Sequence, residues 1–321
     1  MMRKIELVCP IDKLLLATKE EMLSCRNGHT FPVRSGIPRF TDEHYSTAFG
    51  FQWSRFPKTQ FDSFTHTQIS KKRVLEACGS RVSKLLANST ILEVGCGAGR
   101  FTEVLLDEGA KVYSVDLSLA VEVNANNFPI SDLHAVVQAD VLSLPFCNEV
   151  FDIVFCLGVI QHTPNPEETI KHLAKYVAPG GSLIIDHYRK SLSWYLRSAP
   201  LFRAILKRQS PEKALVICRK LYKMSEPLFQ FSNNRLYRKL LNVVLPVVYF
   251  EKEIPELPDV FKEDWGILDT FDSLTDWHKH RRSPAQIQKL LNALGFLDIE
   301  CFHGGNGVVA RGIKCSIINS S

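Results

Sequence analysis

The sequence lacks the features that mark membrane-spanning, secreted and repetitive proteins. No apolar run is long enough to cross a bilayer, and the first ten residues contain no sustained apolar stretch of the secretory type. It has no internal repeat and no low-complexity tract. The nine cysteines do not follow the spacing of a disulfide framework, and Cys96, Cys147 and Cys156 lie in or beside predicted strands. We therefore expect a cytoplasmic chain whose 321 residues allow one large domain plus additions.

What the sequence does contain is a glycine-rich turn between a predicted strand and a predicted helix. Residues 91–99 read Ile-Leu-Glu-Val-Gly-Cys-Gly-Ala-Gly, and a helical pattern starts at Arg100. Glycine lets a ligand approach the backbone, and the helix points its first amides at that ligand. A second apolar strand ends in Asp116, which could accept hydrogen bonds from ribose hydroxyls. The dinucleotide fingerprint G-x-G-x-x-G is incomplete because Arg100 occupies its third glycine position.

The pattern E-x-G-x-G-x-G in this turn resembles the first motif of class I S-adenosylmethionine (SAM) methyltransferases. The resemblance covers roughly residues 67–187 and the last forty residues. It implies that the glycines contact the methionine part of SAM, that Asp116 binds the ribose, and that Asp140 and Val141 contact the adenine. The positions implied for the cofactor are Glu93, Gly95, Cys96, Gly97, Gly99, Asp116, Leu117, Asp140, Val141 and Leu157. The alternative is a glycine turn in a sheet that binds no nucleotide.

Later segments follow in the order that this fold requires. Further strands are predicted at 134–140, 151–157 and 182–186, with a closing hairpin at 296–302 and 307–312. Residues 158–166, which contain His162, resemble the family's segment after the fourth strand. The predicted fold class is α/β: a Rossmann-like seven-stranded methyltransferase sheet with its last strand antiparallel, a small N-terminal β module and an α-helical insert.

Two helix boundaries can be predicted around these later strands. Residues 167–177 have helical spacing, and Pro179 with the two glycines after it ends the helix. Ser283, Pro284 and Gln286 form the start of a closing helix, because they combine a serine cap, a proline at the first position and a capping-box glutamine.

The first forty residues form a separate small module with four candidate zinc ligands. They are Cys9, Asp12, Cys25 and His29. Their spacing resembles the zinc module of bacterial ribosomal-RNA guanine methyltransferases, in which the second position is cysteine, and that of small zinc ribbons. Zinc accepts thiolate, imidazole and carboxylate ligands, so this set could surround it. The alternative is a degenerate β module that has lost its metal.

The rest of the chain divides by composition. Residues 41–66 form an aromatic linker that lies over the SAM pocket, simply packs onto the core, or does both. The predicted SAM-binding core spans 67–187, and the closing helix and hairpin span 283–321. Between them, 188–282 is a predicted basic α-helical insert or lid, since 189–239 holds thirteen lysines and arginines against two glutamates. It suits an anionic membrane surface, an anionic acceptor or a solvated lid; nucleic acid fits less well because no reader fold is recognised.

The resemblance implies a SAM-dependent methyltransferase that acts at oxygen on a small-molecule, lipid-linked or glycan acceptor. An ordinary alcohol needs a base as well as orientation, and His162 is the candidate base; otherwise it is a structural histidine that caps a loop. Two other interpretations stay open: an RNA methyltransferase, favoured by the zinc-like module and the net charge of +5, and a non-catalytic SAM-fold binding protein. The Asn/Asp-Pro-Pro-Tyr/Phe motif of many amino-nitrogen methyltransferases is absent after the fourth strand, which argues against methylation of a base amino group.

Overall fold

The computed structural model describes residues 5–41, 47–190, 197–230, 234–250 and 254–316, so parts of the predicted module, linker, insert and closing hairpin lie outside the described residues.

The N-terminal module is a small antiparallel sheet attached to one edge of a larger one. Its strands follow each other in chain order: β1 (Ala17–Lys19), β2 (Met22–Ser24), β3 (Thr30–Arg34) and β4 (Ile37–Pro38). Two backbone hydrogen bonds hold it in place, from Val8 N to Pro145 O (2.9 Å) and from Phe40 N to Gln138 O (2.8 Å). The module therefore packs against the third strand of the core and the loop that follows it.

The core is a seven-stranded sheet, as the sequence predicts. Its strands are β5 (Thr90–Val94), β6 (Lys111–Asp116), β7 (His134–Gln138), β8 (Phe151–Cys156), β9 (Val177–Tyr188), β10 (Phe296–Phe302) and β11 (Gly307–Lys314). They lie in the order β10-β11-β9-β8-β5-β6-β7. Strands β5 to β9 are parallel, and β11 runs antiparallel between β9 and β10. The carboxyl ends of the parallel strands meet at one edge, where α/β sheets bind ligands.

Helices cover both faces of this sheet. In chain order they are α1 (Thr47–Arg55), α2 (Asp62–Thr65), α3 (Ile69–Ser83), α4 (Arg100–Asp107), α5 (Ala120–Asn127), α6 (Pro166–Tyr176), α7 (Ala199–Leu206), α8 (Pro211–Gln230), α9 (Arg235–Val244), α10 (Asp259–Thr275) and α11 (Pro284–Ala293). Apolar side chains of α6 and α11 pack on one face, and those of α3 and α4 on the other. Alternate residues of each strand supply the two layers, which explains the near-continuous apolar runs of the sequence.

Two helix boundaries follow the prediction, and one strand is longer than predicted. Helix α11 begins with the capping box of Ser283 and Gln286, and α6 ends at Tyr176. The fifth core strand starts at Val177 rather than Ser182, because Val177 pairs with Phe151 across a bulge. The chain therefore passes from helix to strand without a separate loop.

The insert folds as a helical layer of its own. Buried apolar side chains of α7, α8, α9 and α10 form one cluster, which also includes Phe56 from the segment after α1. Tyr222, Phe229 and Tyr249 stack inside it, with the last two rings nearly parallel at 4.7 Å between centroids. Within the part of the chain that the structure describes, no helix combines the length and apolar character needed to cross a membrane.

Candidate functional site

The glycine turn lies where β5 ends, at the carboxyl edge of the sheet. Gly95, Gly97 and Gly99 all have positive φ, which other residues rarely adopt. At Gly97, a side-chain Cβ would lie only 2.9 Å from the indole of Trp53. The turn therefore needs glycine because its backbone has positive φ and because a side chain at Gly97 would collide with the ring of Trp53.

Helix α1, from the predicted aromatic linker, forms this cover. Trp53 lies on Gly97, and Phe51 of the same helix joins the helical layer of the insert. Asn127 fastens the segment after α1, since its Nδ2 donates to Pro57 O and to Ala98 O, each at 3.0 Å. This segment therefore covers the glycine turn and packs onto the core, and its position over a SAM pocket stays a prediction.

Asp116 ends β6 and connects that strand to the turn. Its Oδ2 accepts a hydrogen bond from Gly97 N (3.0 Å), and its Oδ1 accepts from Ser118 N (2.8 Å) and Ser118 Oγ (2.7 Å). Removal from water raises the pKa of Asp116, and the hydrogen bonds oppose that rise. A carboxylate offers about four acceptor positions, so these three contacts leave about one for a ligand hydroxyl.

Glu93 lies beneath the turn. Its buried Oε2 accepts hydrogen bonds from Thr102 Oγ1 (2.6 Å) and Ser114 Oγ (2.9 Å). Burial raises the pKa of Glu93 to about 7, although both hydroxyls favour the charged form. These contacts join β5 to α4 and β6, so Glu93 positions the turn from below; a direct contact with the cofactor stays a prediction.

The remaining predicted cofactor residues lie at the ends of neighbouring strands. Asp140 follows β7, and its Oδ1 accepts from Leu142 N (2.8 Å) in a local turn. Ala139 N donates to Asp116 O (3.1 Å), which brings the two acidic strand ends together. The others are the buried Cys96 and Leu157 and the half-buried Leu117 and Val141.

His162 lies on the other side of the same edge, in the short turn that follows β8. Its side chain is only 8% exposed, and its Nδ1 is 2.9 Å from Oδ2 of Asp276, just after α10. Its Nε2 is 3.3 Å from the hydroxyl of Tyr188 at the end of β9. Burial lowers the pKa of His162. The contact with Asp276 is within ion-pair distance but does not meet hydrogen-bond geometry. A hydrogen bond from Nδ1 to this acid would favour the tautomer whose Nε2 can accept a proton.

Buried cations lie close to the pair formed by His162 and Asp276. Arg203 contacts the carboxylate of Asp276 and donates from Nη2 to Asp276 O (3.0 Å), and Lys279 Nζ lies 3.7 Å from Asp276 Oδ2. Burial lowers the pKa of Lys279 to about 7. Lys279 and Arg281 also lie over the ring of Tyr188, at 5.2 and 5.8 Å from its centroid. Such an environment stabilises negative charge that develops on an oxygen during a reaction.

A second buried ion pair links the two sides. Asp186, near the end of β9, is fully buried; its Oδ1 accepts from Gly158 N and its Oδ2 pairs with Arg73 Nη2, both at 2.6 Å. Arg73 also stacks over Phe101, the second residue of α4, at 5.3 Å. The segment after β8 and the helix that starts at the glycine turn are therefore held in fixed relation.

His162 is a candidate on its sequence motif alone, whereas its partners Asp276 and Arg203 have no such motif. Asp276 and Arg203 are 73 residues apart in sequence, and no spacing rule connects either to His162. The signals were indirect: a basic insert and a segment near Trp277 dense in histidine, tryptophan and acids. Arg203 belongs to the predicted basic surface by composition, but the structure buries it.

The four predicted zinc ligands do come together in the N-terminal module. One donor atom from each lies within 4.8 Å of the others: Cys9, Asp12, Cys25 and His29. His29 Nδ1 is 3.1 Å from Asp12 Oδ2, 3.4 Å from Cys25 Sγ and 3.5 Å from Cys9 Sγ. Zinc–ligand bonds of about 2.0–2.3 Å give tetrahedral edges of about 3.3–3.8 Å, which is close to the three distances from His29. The 4.8 Å limit for the whole set is wider than these edges, so zinc binding by this cluster stays a prediction.

Comparison with known proteins identifies the central part of the chain. Residues 92–185 match the model of a methyltransferase domain. This segment runs from β5 into β9 and contains the glycine turn, Asp116, Asp140 and His162. Tyr188, the insert and the N-terminal module lie outside it, so the resemblance of that module to zinc modules stays a prediction.

Curated relatives and a solved structure show similarity of different extent. The chain is 33% identical over 113 residues to a ubiquinone biosynthesis O-methyltransferase of Coxiella burnetii, over 35% of this chain and 48% of that protein. It is 30% identical over 114 residues to a protein of the same name from Pseudomonas paraeruginosa, and the match covers 35% of this chain and 49% of that protein. A structure of magnesium protoporphyrin IX methyltransferase from Synechocystis PCC 6803 with bound SAH has 17% identity and a TM-score of 0.43, over 84% of this chain and 95% of that one.

The fold and the matched segment define the class: the chain carries a methyltransferase domain on a Rossmann-like seven-stranded methyltransferase sheet. The chain spans about half the length of the curated relatives it matches.

Proposed function

We propose that the protein is a SAM-dependent methyltransferase that methylates an oxygen of a small-molecule acceptor. The observation that carries this proposal is the position of two sets of residues at one sheet edge within the methyltransferase domain. The glycine turn and Asp116 form one set, and His162 stands at the end of the adjacent strand β8. The names of the O-methyltransferase relatives support oxygen as the acceptor atom.

On the cofactor side, the chain would bind SAM and shield it from water. The glycine turn would approach the methionine part, Asp116 would accept a ribose hydroxyl at its remaining position, and Asp140 would meet the adenine. Trp53 would exclude water above the turn. SAM supplies an electrophilic methyl group when bound; the chain's task is to hold the acceptor oxygen in line with it.

On the acceptor side, His162 would take the proton of the acceptor hydroxyl. Its Nε2 faces the hydroxyl of Tyr188, so the acceptor hydroxyl would replace Tyr188 as the hydrogen-bond partner of that nitrogen. Asp276 would hold the ring in the required tautomer and stabilise the protonated imidazole. Lys279 and Arg203 would stabilise the oxygen as it becomes negative.

Methyl-labelled SAM tests the proposal directly. The purified protein would be incubated with phenols, lipid-soluble phenols, aliphatic alcohols, glycans and RNA, and the labelled products identified by mass spectrometry. We expect label in a methyl ether of a hydroxylated small molecule. Label in RNA, or SAM binding without transfer to any acceptor of a broad panel, would support the other two interpretations instead.

We also propose that the N-terminal module binds one zinc ion through Cys9, Asp12, Cys25 and His29. Elemental analysis of protein purified without chelator should find about one zinc per chain. Cys25→Ser should lose the metal, whereas Cys315→Ser, at an exposed cysteine outside the cluster, should keep it. Asp12→Cys should bind zinc more tightly, because thiolate is the stronger ligand. Wild-type protein without zinc would reject this site.

A further inference from the structure

Helices α7 and α9 expose apolar stripes although both also have buried residues. On α9, Leu236, Leu240 and Val244 recur every fourth residue and are 74%, 56% and 55% exposed. On α7, Leu201 and Ile205 are 72% and 63% exposed. The inner faces of both helices are buried in the helical layer of the insert, so the outer stripes are not needed to pack it.

The two stripes adjoin. Ser198 N, just before α7, donates a hydrogen bond to Val243 O near the end of α9 (2.9 Å). Leu201 lies in the first turn of α7, and Val244 directly follows the acceptor residue. An exposed apolar patch built from two helices is unusual for a surface that meets only water.

The two segments that carry this patch have charged residues of one sign. Residues 197–208 and 234–250, which contain α7 and α9, include no aspartate or glutamate. Arg197, Arg208 and Lys239 are exposed, and Lys207 lies over the exposed ring of Trp277 with its Nζ 5.1 Å from the centroid. Arg203, the buried partner of Asp276, is not part of this surface.

We propose that this surface, the outer face of α7 and α9 with its flanking cations and Trp277, docks onto an anionic lipid bilayer. Apolar side chains between cations fit the boundary between acyl chains and negative headgroups, and tryptophan favours that depth. Nucleic-acid phosphates would complement the cations but leave the leucines in water. The proposal does not depend on the proposed methyl transfer, because it concerns a surface outside the matched domain.

Co-sedimentation of the full chain with vesicles tests this surface. Vesicles of phosphatidylglycerol and phosphatidylcholine in equal parts should bind the protein at low ionic strength, and phosphatidylcholine vesicles should bind it far less. Added salt should weaken the binding, because it screens the charges.

Two triple variants test the two components, each with a matched control. The charge variant replaces three cations of the surface with glutamine: Lys207, Arg208 and Lys239. Its partition to anionic vesicles should fall about 100-fold, since each cation contributes about fivefold. Its control makes the same change at three exposed lysines elsewhere: Lys19, Lys84 and Lys289.

The apolar variant replaces three leucines of the surface with glutamine: Leu201, Leu236 and Leu240. Partition should fall by at least about tenfold, because their side chains would no longer enter the interface. Its control makes the same change at three exposed leucines elsewhere: Leu85, Leu133 and Leu297. Unchanged thermal unfolding midpoints would show that each variant folds.

Four results would overturn the proposal. The first is that the protein does not bind anionic vesicles, and the second is that a control triple variant loses as much vesicle binding as its test variant. The third is a dimer in ultracentrifugation that the leucine variant abolishes. The fourth is RNA binding that the charge variant loses and the leucine variant keeps. The third would assign the face to a second copy of the chain, and the fourth to nucleic acid.

Discussion

The centre of the cofactor side, which is the glycine turn and Asp116, comes from one continuous stretch of sequence, whereas the acceptor side is assembled from distant ones. β5, the glycine turn and Asp116 follow each other within about thirty residues. His162, Tyr188, Arg203 and Asp276 come from four separate segments that meet only after the insert packs against the sheet. Local geometry therefore defines the cofactor side, and tertiary packing defines the acceptor side.

The largest expected effect separates the two sides by function. His162→Gln should lower kcat about 10²–10⁴-fold, because it removes the proposed base. SAM affinity measured by calorimetry should stay unchanged, since the glycine turn is intact. His172→Gln, at a histidine on α6, serves as the control and should keep full activity. A His162→Gln enzyme with normal kcat would leave His162 a purely structural role.

The pH dependence of kcat/KM sharpens this prediction. Burial lowers the pKa of His162, so the ring stays neutral and able to accept a proton to lower pH than an exposed histidine does. Activity should therefore be retained at the ordinary histidine pKa of about 6.5 and decline only below it. If kcat/KM instead declined already above a pH of about 6.5, a group other than His162 would be responsible for the decline.

The next effect concerns stability on the acceptor side. Arg203→Met should lower the free energy of unfolding by about 3–5 kcal/mol, because it leaves the buried Asp276 without its closest cation. Urea denaturation measures this change. The double variant Arg203→Met with Asp276→Leu should recover part of the loss, which a defect in packing alone would not produce.

Glu93 offers a pH test on the cofactor side. Its pKa is about 7 in the folded protein and ordinary when unfolded, so the unfolded state loses its proton first as pH rises from about 4.5. The protonated form of Glu93 therefore stabilises the folded protein fully below about pH 4.5. This contribution to the free energy of unfolding, about 3 kcal/mol, is lost as the pH rises to about 7. Glu93→Gln removes this loss, so the variant should gain on the wild type between pH 4.5 and 7.5. Asp269, whose pKa burial also raises to about 7, affects both proteins equally. Parallel stability curves would contradict the role of Glu93.

The smallest effect is expected away from both sides. Arg81 and Asp298 form an ion pair at 3.0 Å, but their side chains are 68% and 70% exposed. Arg81→Met should change the free energy of unfolding by no more than about 0.5 kcal/mol, because water and salt screen an exposed pair. If Arg81→Met lowered the free energy of unfolding as much as Arg203→Met, burial would not explain why the two ion pairs are expected to differ.

The same contrast explains what could be predicted from sequence. The order of the strands, the glycine turn and the capping box at Ser283 depend on residues close in the chain, and the structure has them. The clustering of Cys9, Asp12, Cys25 and His29 could be predicted because a resemblance supplied their spacing, whereas zinc binding by them stays a prediction. The early start of β9 at Val177 depends on pairing with Phe151, and the partner of His162 depends on how α10 packs. Neither has a local sequence signal.

Titration calorimetry with SAM measures the proposed cofactor function most directly. Wild-type protein should bind one SAM per chain, and Asp116→Ala should weaken that binding by about 1–3 kcal/mol, because the ribose loses a buried acceptor. His162→Gln should bind SAM as the wild type does. Binding of NAD in place of SAM, or SAM affinity that Asp116→Ala leaves unchanged, would contradict the assignment of the glycine turn and Asp116 to this cofactor.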